Sequence, residues 1–197
     1  MPPTTPVPIA VLDACVLYGM PLRDTLLRVA EEGLYRPAWS YEIWDEVLRH
    51  LTNPSERERP LTDDDAAYLL MTIERHFPEA FVSGYESLTS TMSNDPKDRH
   101  VAAVAVHADA QVIVTYNLKH FPAAALTPYG IEVQHPDAFL MGLYNIEPRT
   151  MAHIIRQQAA ALKKRPTPAR QILDKLAQVG ATQFAQAVRT RIDEEDR

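Results

Sequence analysis

The stretch from Asn94 to Pro122, NDPKDRHVAAVAVHADAQVIVTYNLKHFP, constrains this chain most. Val112-Ile113-Val114 is a short apolar run bounded by Gln111 and Thr115, the pattern of a buried strand. Before it, Val101, Ala102, Ala105, Val106 and Ala108 give a small-residue helical face that can pack close on a sheet. Asp109-Ala110 makes the turn between them, and Pro96 can start the helix. Apolar residues therefore build one α–β unit. Polar groups stand at its open ends: Asp95 and Asp98 before the helix, Thr115 and Asn117 after the strand. Packing does not require them. Asp98 falls in the first helical turn, where the helix dipole favours its charged form.

Other segments supply neighbours for this unit. Ile9-Ala10-Val11-Leu12 reads as a buried parallel strand ending on Asp13. The carboxyl edge of such a sheet is where sites form. Pro21 opens and Gly33 closes a helix with Leu22, Leu26 and Val29 on one stripe. Tyr35 to Trp39 reads as an extended link, and Ser40 as the N-cap of the helix YEIWDEVLRHL. Ile43, Val47, Leu48 and Leu51 form the core face of that helix, and Glu42 and Glu46, one turn apart, share another face. Thr62 and Asp65 cap the next helix. Ala80 to Val82 and Ile131 to Val133 are short strand candidates. His135-Pro136-Asp137 opens a helix, and from Pro148 the pattern is helical throughout. Its three stripes are Met151, Ile154, Ile155 and Leu162; Ile172, Leu173 and Leu176; and Phe184, Val188 and Ile192. Short amphipathic helices need a body to cover them, so residues 148–197 read as a helical appendage. Residues 1–7 read as a disordered tail and 8–147 as the α/β domain.

Charge is divided unevenly. Residues 1–148 hold 10 Lys/Arg and 21 Asp/Glu, a net of −11; residues 149–191 hold 9 Lys/Arg and only Asp174, a net of +8. The basic segment reads either as a polyanion-binding arm or as a solvated helical face. Cys15 is the only cysteine, which rules out an internal disulfide and fits a reducing compartment. No apolar run approaches the ~20 residues of a membrane span, and the first residues lack a signal-peptide pattern. The expectation is a cytoplasmic protein with no membrane partner.

Asp13, Glu46 and Asp98, with Asn117 as a neutral fourth member, form the candidate constellation. Crowded carboxylates raise each other's pKa, and a hard divalent cation resolves the conflict. Oxygen donors suit Mg²⁺ or Mn²⁺. Such an ion can activate water and neutralise charge on a phosphate. No Cys/His cluster suggests zinc, and there is no phosphate-binding Gly-rich loop or G-x-S-x-G elbow. His107 and His120 read as surface or packing histidines.

VLDACVLY, WSYEIWDEV, DPKDRHVAAVAV and VTYNLKHFP resemble, in order, the four motifs of the PIN domain. The third and fourth are similar to those of VapC-type toxins, and the resemblance covers about residues 8–145. It implies a three-layer α/β/α fold with a mainly parallel sheet, followed by a C-terminal helical extension. It also implies a metal-dependent endoribonuclease, the toxin of a toxin–antitoxin pair, with an RNA substrate, a cognate protein antitoxin and, in many relatives, a homodimer. Asp13, Glu46 and Asp98 match the family acids, and Asp95 a supporting position one turn earlier. Glu46 takes the second role rather than Glu42, because family helices place the acid there. Asn117 stands where many PIN domains have Asp, which lowers the site's charge and questions a two-metal mechanism. Hydrolysis by an in-line water leaves a 5′-phosphate and a 3′-hydroxyl. Arg99, Thr115, Lys119, Arg156, Lys163, Lys164 and Arg165 are the candidates for holding RNA. The alternative reading is a catalytically weak PIN-like module that binds RNA or protein. A DNA-flap nuclease is the third, although such enzymes carry more carboxylates on larger chains.

Overall fold

The structure, a computed structural model, describes residues 7–162 and 167–196. In chain order the elements are β1 (Ile9–Leu12), α1 (Ala14–Leu17), α2 (Met20–Glu31), β2 (Arg36–Ala38), α3 (Tyr41–Thr52), α4 (Asp63–His76), α5 (Glu86–Thr89), α6 (Arg99–His107), β3 (Val112–Val114), α7 (Ala123–Leu126), β4 (Glu132–Gln134), α8 (Pro136–Ile146), α9 (Pro148–Ala160), α10 (Ala169–Gln178) and α11 (Thr182–Glu195). Short 3-10 turns at Pro78–Ala80, Pro96–Asp98, Leu118–His120 and Thr127–Tyr129 join some of them. No helix among the described residues is long and apolar enough to cross a membrane.

The chain forms two compact units, and neither is one continuous stretch. Residues 1–18 and 35–133 make the first; residues 19–34 and 134–197 make the second. The sequence reading drew its boundary after residue 147. In the structure the helical unit also takes in α2 and α8, which were expected in the α/β domain.

The first unit is built on a four-stranded sheet in the order β2-β1-β3-β4. β1 pairs in parallel with β2 on one side and β3 on the other. Ala10, Val11 and Leu12 are fully buried, as a central strand requires. α6 packs on β1 and β3 with Val101 to Ala105 all buried, the close approach that its alanines allow. The expected α/β architecture with a mainly parallel sheet is the observed one.

Two local expectations change. The link from Tyr35 to Trp39 contains a strand, β2, whose Pro37 sits opposite Ala10. Proline donates no N–H, so a three-residue strand on the sheet edge suits it, and the motif reads poorly as a strand from sequence. Ala80 to Val82 is instead a 3-10 turn followed by a single parallel bridge from Phe81 to Trp39. The capping expectations match the structure. Ser40 Oγ accepts the Ile43 N–H at 3.2 Å, and Thr62 Oγ1 accepts the Asp65 N–H at 3.1 Å.

The second unit is helical. Buried Thr25 donates to Gln158 Oε1 at 2.8 Å, joining α2 to α9. Asp137 accepts the backbone N–H groups of Gln183 (3.1 Å) and Phe184 (2.9 Å), which ties α8 to the first turn of α11. The three predicted stripes are buried except for Leu162, which lies past the end of α9 and is 37% exposed.

Candidate active site

Strand register sets the centre of the site. Leu12 of β1 lies opposite Val114 of β3, so the next residues, Asp13 and Thr115, emerge together at the carboxyl edge. The Asp13 N–H donates to the Val114 carbonyl at 3.1 Å. The Thr115 hydroxyl donates to Asp13 Oδ2 at 2.6 Å, and the Cys15 thiol donates to the same oxygen at 3.1 Å. The Asn117 N–H donates in turn to Thr115 Oγ1 at 2.9 Å. Asp13 is 3% exposed and Thr115 fully buried. Burial first, then the charge of Asp13, pushes the Cys15 pKa up to about 12, so Cys15 stays a thiol and a donor. Neutral donors thus orient Asp13 without balancing its charge.

Glu46 and Asp98 reach the site from two helices. Glu46 lies on α3, and its Oε1 is 3.5 Å from Nε2 of buried His100, too long for a hydrogen bond. Asp98 is the N-cap of α6 and makes no side-chain capping bond there. Its Oδ2 lies 2.8 Å from Nδ1 of His120. Burial holds the Asp98 carboxyl above the usual carboxylate range, with the charge of Asp13 next and His120 opposing. Burial likewise raises Glu46, His100 opposes, and the charges of Asp13 and Asp98 add to the rise. The helix-dipole expectation for Asp98 is therefore outweighed by burial and a like charge. These causes also place the three carboxylates within electrostatic reach of one another.

A cleft of about 610 Å³ opens over these groups. Glu46, Asp98, Asn117 and His120 line it, with Tyr18, Arg49, His50, Asn53, Glu56 and Lys97. Asp13 does not line it. Among the described residues, no group of three or more His, Cys, Asp or Glu side chains is disposed to hold a metal ion. The chemistry of the donors still fits a hard divalent cation: they are carboxylate oxygens, and at Glu46 and Asp98 burial first, with neighbouring negative charge adding to it, raises the proton affinity.

Residues 10–119 match the PIN domain family, a span that contains Asp13, Glu46, Asp98 and Asn117. The chain belongs to the PIN domain family. Residues 136–190 match a second family, the VapC50 C-terminal domain. A Mycobacterium tuberculosis protein named "Putative ribonuclease VapC50" is 42% identical over 110 residues, 56% of this chain and 64% of that protein. The chain thus covers less than two thirds of that relative's length. No solved structure matches.

Within the PIN unit the remaining sequence candidates fare differently. Glu42 is exposed and accepts the Tyr85 hydroxyl at 3.0 Å, apart from the carboxylate group. Asp95 Oδ1 accepts the Lys97 N–H at 3.0 Å, and its charge adds to the rise at Asp98. The buried Thr115 hydroxyl is spent on Asp13, which makes it an orienting group rather than a cleft contact. Arg99 Nε donates to the Asn94 carbonyl at 3.4 Å, and Lys119 is exposed. Neither Arg99 nor Lys119 lines the cleft. In the second unit Arg156 is ion-paired with Glu195 and, at 2.8 Å, with Asp196. Lys163, Lys164 and Arg165 lie outside the described residues.

His100, His120, Arg49 and Lys97 were not among the sequence-derived site residues. Two of them had a signal. Arg49 is three residues after Glu46 on one helix, and Lys97 precedes Asp98. His120 had none, because 22 residues separate it from Asp98.

Proposed function

We propose that this chain is a metal-dependent endoribonuclease that hydrolyses RNA phosphodiesters, and the toxin of a toxin–antitoxin pair. One observation carries the reading: the register of two parallel strands brings Asp13 to the carboxyl edge of the sheet, and Glu46, Asp98 and Asn117 line one cleft there. Asp13, Glu46 and Asp98 would hold the ion, Mg²⁺ or Mn²⁺, with Asn117 as a neutral neighbour. When bound, that ion supplies Lewis-acid activation of water and charge neutralisation on the phosphate.

The chain's own groups do the positioning. Thr115 and Cys15 fix the rotamer of Asp13 through Oδ2. His120 Nδ1 holds Asp98 Oδ2, which orients that carboxylate toward the cleft it lines. Arg49 and Lys97 place positive charge on the same cleft, where an RNA backbone needs it. The name of the M. tuberculosis relative supports the ribonuclease reading, and the VapC-type motifs support an antitoxin partner.

The test uses purified protein, single-stranded RNA and magnesium or manganese. Asp13→Ala and Asp98→Ala are each expected to lose cleavage by at least about a hundredfold while remaining folded. The products should carry 5′-phosphates. Cleavage persisting in both variants would overturn the reading. A second reading, a PIN-like module that binds without turnover, is favoured by Asn117 and by the lack of a preassembled metal-ligand group among the described residues. It predicts RNA or protein affinity with no metal-stimulated turnover in the unaltered protein.

A further inference from the structure

We propose that the stacked rings of Tyr18 and His50 form a nucleobase-binding platform on the wall of the carboxylate cleft. It deepens the RNA-cleaving reading above and rests on it. The ring centroids are 4.0 Å apart and the planes 18° from parallel. Both rings line the same cleft as Glu46 and Asp98.

The platform shares its backbone with the acids. Tyr18 stands five residues after Asp13, just past α1, and His50 lies one turn after Glu46 on α3. Positions four apart on a helix share a face, so Glu46 and His50 point to one side. Asp13 and Tyr18 flank α1, and Glu46 and His50 both lie on α3, so each stretch supplies one acid and one ring. A base held on the rings and a phosphate held at the acids are then placed by the same two pieces of backbone.

The imidazole is also held by a polar contact, which a purely space-filling pair does not need. His50 Nδ1 pairs with Glu56 Oε2, and Asn53 Nδ2 donates to Glu56 Oε1 at 2.7 Å. Both oxygens of Glu56 are engaged, so it acts as a strut for the imidazole. Tyr18 is only half-buried. Burial and the charges of Glu46 and Asp13 raise its pKa, so its phenol adds no negative charge to the cleft. Flat π-systems extend such stacks, and proteins read single-stranded RNA by stacking splayed bases on aromatic side chains.

The test is a binding measurement with 2-aminopurine at each position in turn of a short single-stranded RNA. Calcium replaces magnesium so that the strand survives. A matched strand, abasic at the probed position, serves as the comparison. The unaltered protein is expected to quench the probe at one position and to bind the intact strand about tenfold more tightly than the abasic one. Tyr18→Phe should keep both effects. Tyr18→Leu and His50→Gln should lose both, with unchanged affinity for the abasic strand and an unchanged melting midpoint. Should Tyr18→Leu fail to fold, His50→Gln carries the comparison. A folded variant of either kind that keeps the tenfold preference overturns the platform. If the unaltered protein binds no RNA at all, the RNA-cleaving reading falls, and that result is distinct from the first.

Discussion

Asp98 shows what the site costs a single residue. Its carboxyl is more basic in the folded chain than an ordinary aspartate because it is half-buried and faces Asp13. An acid with a raised folded pKa behaves in a definite way. Below the unfolded value both states are protonated and there is no penalty. As pH rises from the unfolded value to the folded one, the unfolded chain releases its proton first and stability falls. Above the folded value the penalty stands in full. Asp98→Asn removes it and keeps an oxygen to accept from His120. The variant should therefore melt a few degrees above the unaltered protein at neutral pH, and the gap should close at about pH 4. It should be inactive. Adding magnesium should raise the melting midpoint of the unaltered protein more than that of Asp98→Asn. Scanning calorimetry at both pH values, with and without the ion, checks this; an Asn variant less stable at neutral pH would show that the Asp98–His120 pair outweighs the repulsion. Asp13 and Asp98 could be proposed from the sequence because each stands at the end of an apolar element, and Glu46 because the family resemblance points to that position. His120 was not, because only the fold brings it to Asp98.

At the scale of elements, α3 carries two of the groups that matter, Glu46 and His50, on one face. Its neighbouring face buries Ile43, Trp44, Val47 and Leu51. Ser40 fixes where the helix begins, and therefore the phase in which Glu46 and His50 meet the cleft. Ser40→Ala should cost about 1 kcal/mol of stability, the usual worth of a lost N-cap. Urea unfolding measures that loss as a shift in midpoint at unchanged slope. A loss below about 0.3 kcal/mol would mean that neighbouring contacts fix the helix start without the cap. This cap was readable because serine before an amphipathic run is a local signal. β2 was not, since Pro37 disguises an edge strand whose pairing depends on β1. Nor was the place of α2, whose stripe of Leu22, Leu26 and Val29 says that it is covered but not by what. In the structure it belongs to the helical unit.

At the scale of the whole molecule, the sequence divides charge in a way that suggests a basic arm for RNA. The folded chain distributes it otherwise. Arg156 pairs with Glu195 and Asp196, Arg170 with Asp193, Arg189 with Asp174, and Arg191 with Glu195. Much of the positive charge in residues 149–191 is thus met by carboxylates of the same unit. Three of those partners lie among the last residues, which the +8 count leaves out. The cleft of the first unit holds Arg49 and Lys97 instead. These two sites make opposite predictions for salt. Each cation released from a single strand's ion atmosphere contributes about 0.7 to the slope of log affinity against log salt. Lys97→Gln should flatten that slope by about this amount, while Arg156→Gln leaves it unchanged. Fluorescence anisotropy of a labelled RNA over a salt series, with calcium in place of magnesium, measures both. Equal flattening in the two variants would return the basic helices to the RNA-binding surface. It would also mean that RNA displaces Glu195 and Asp196 from Arg156.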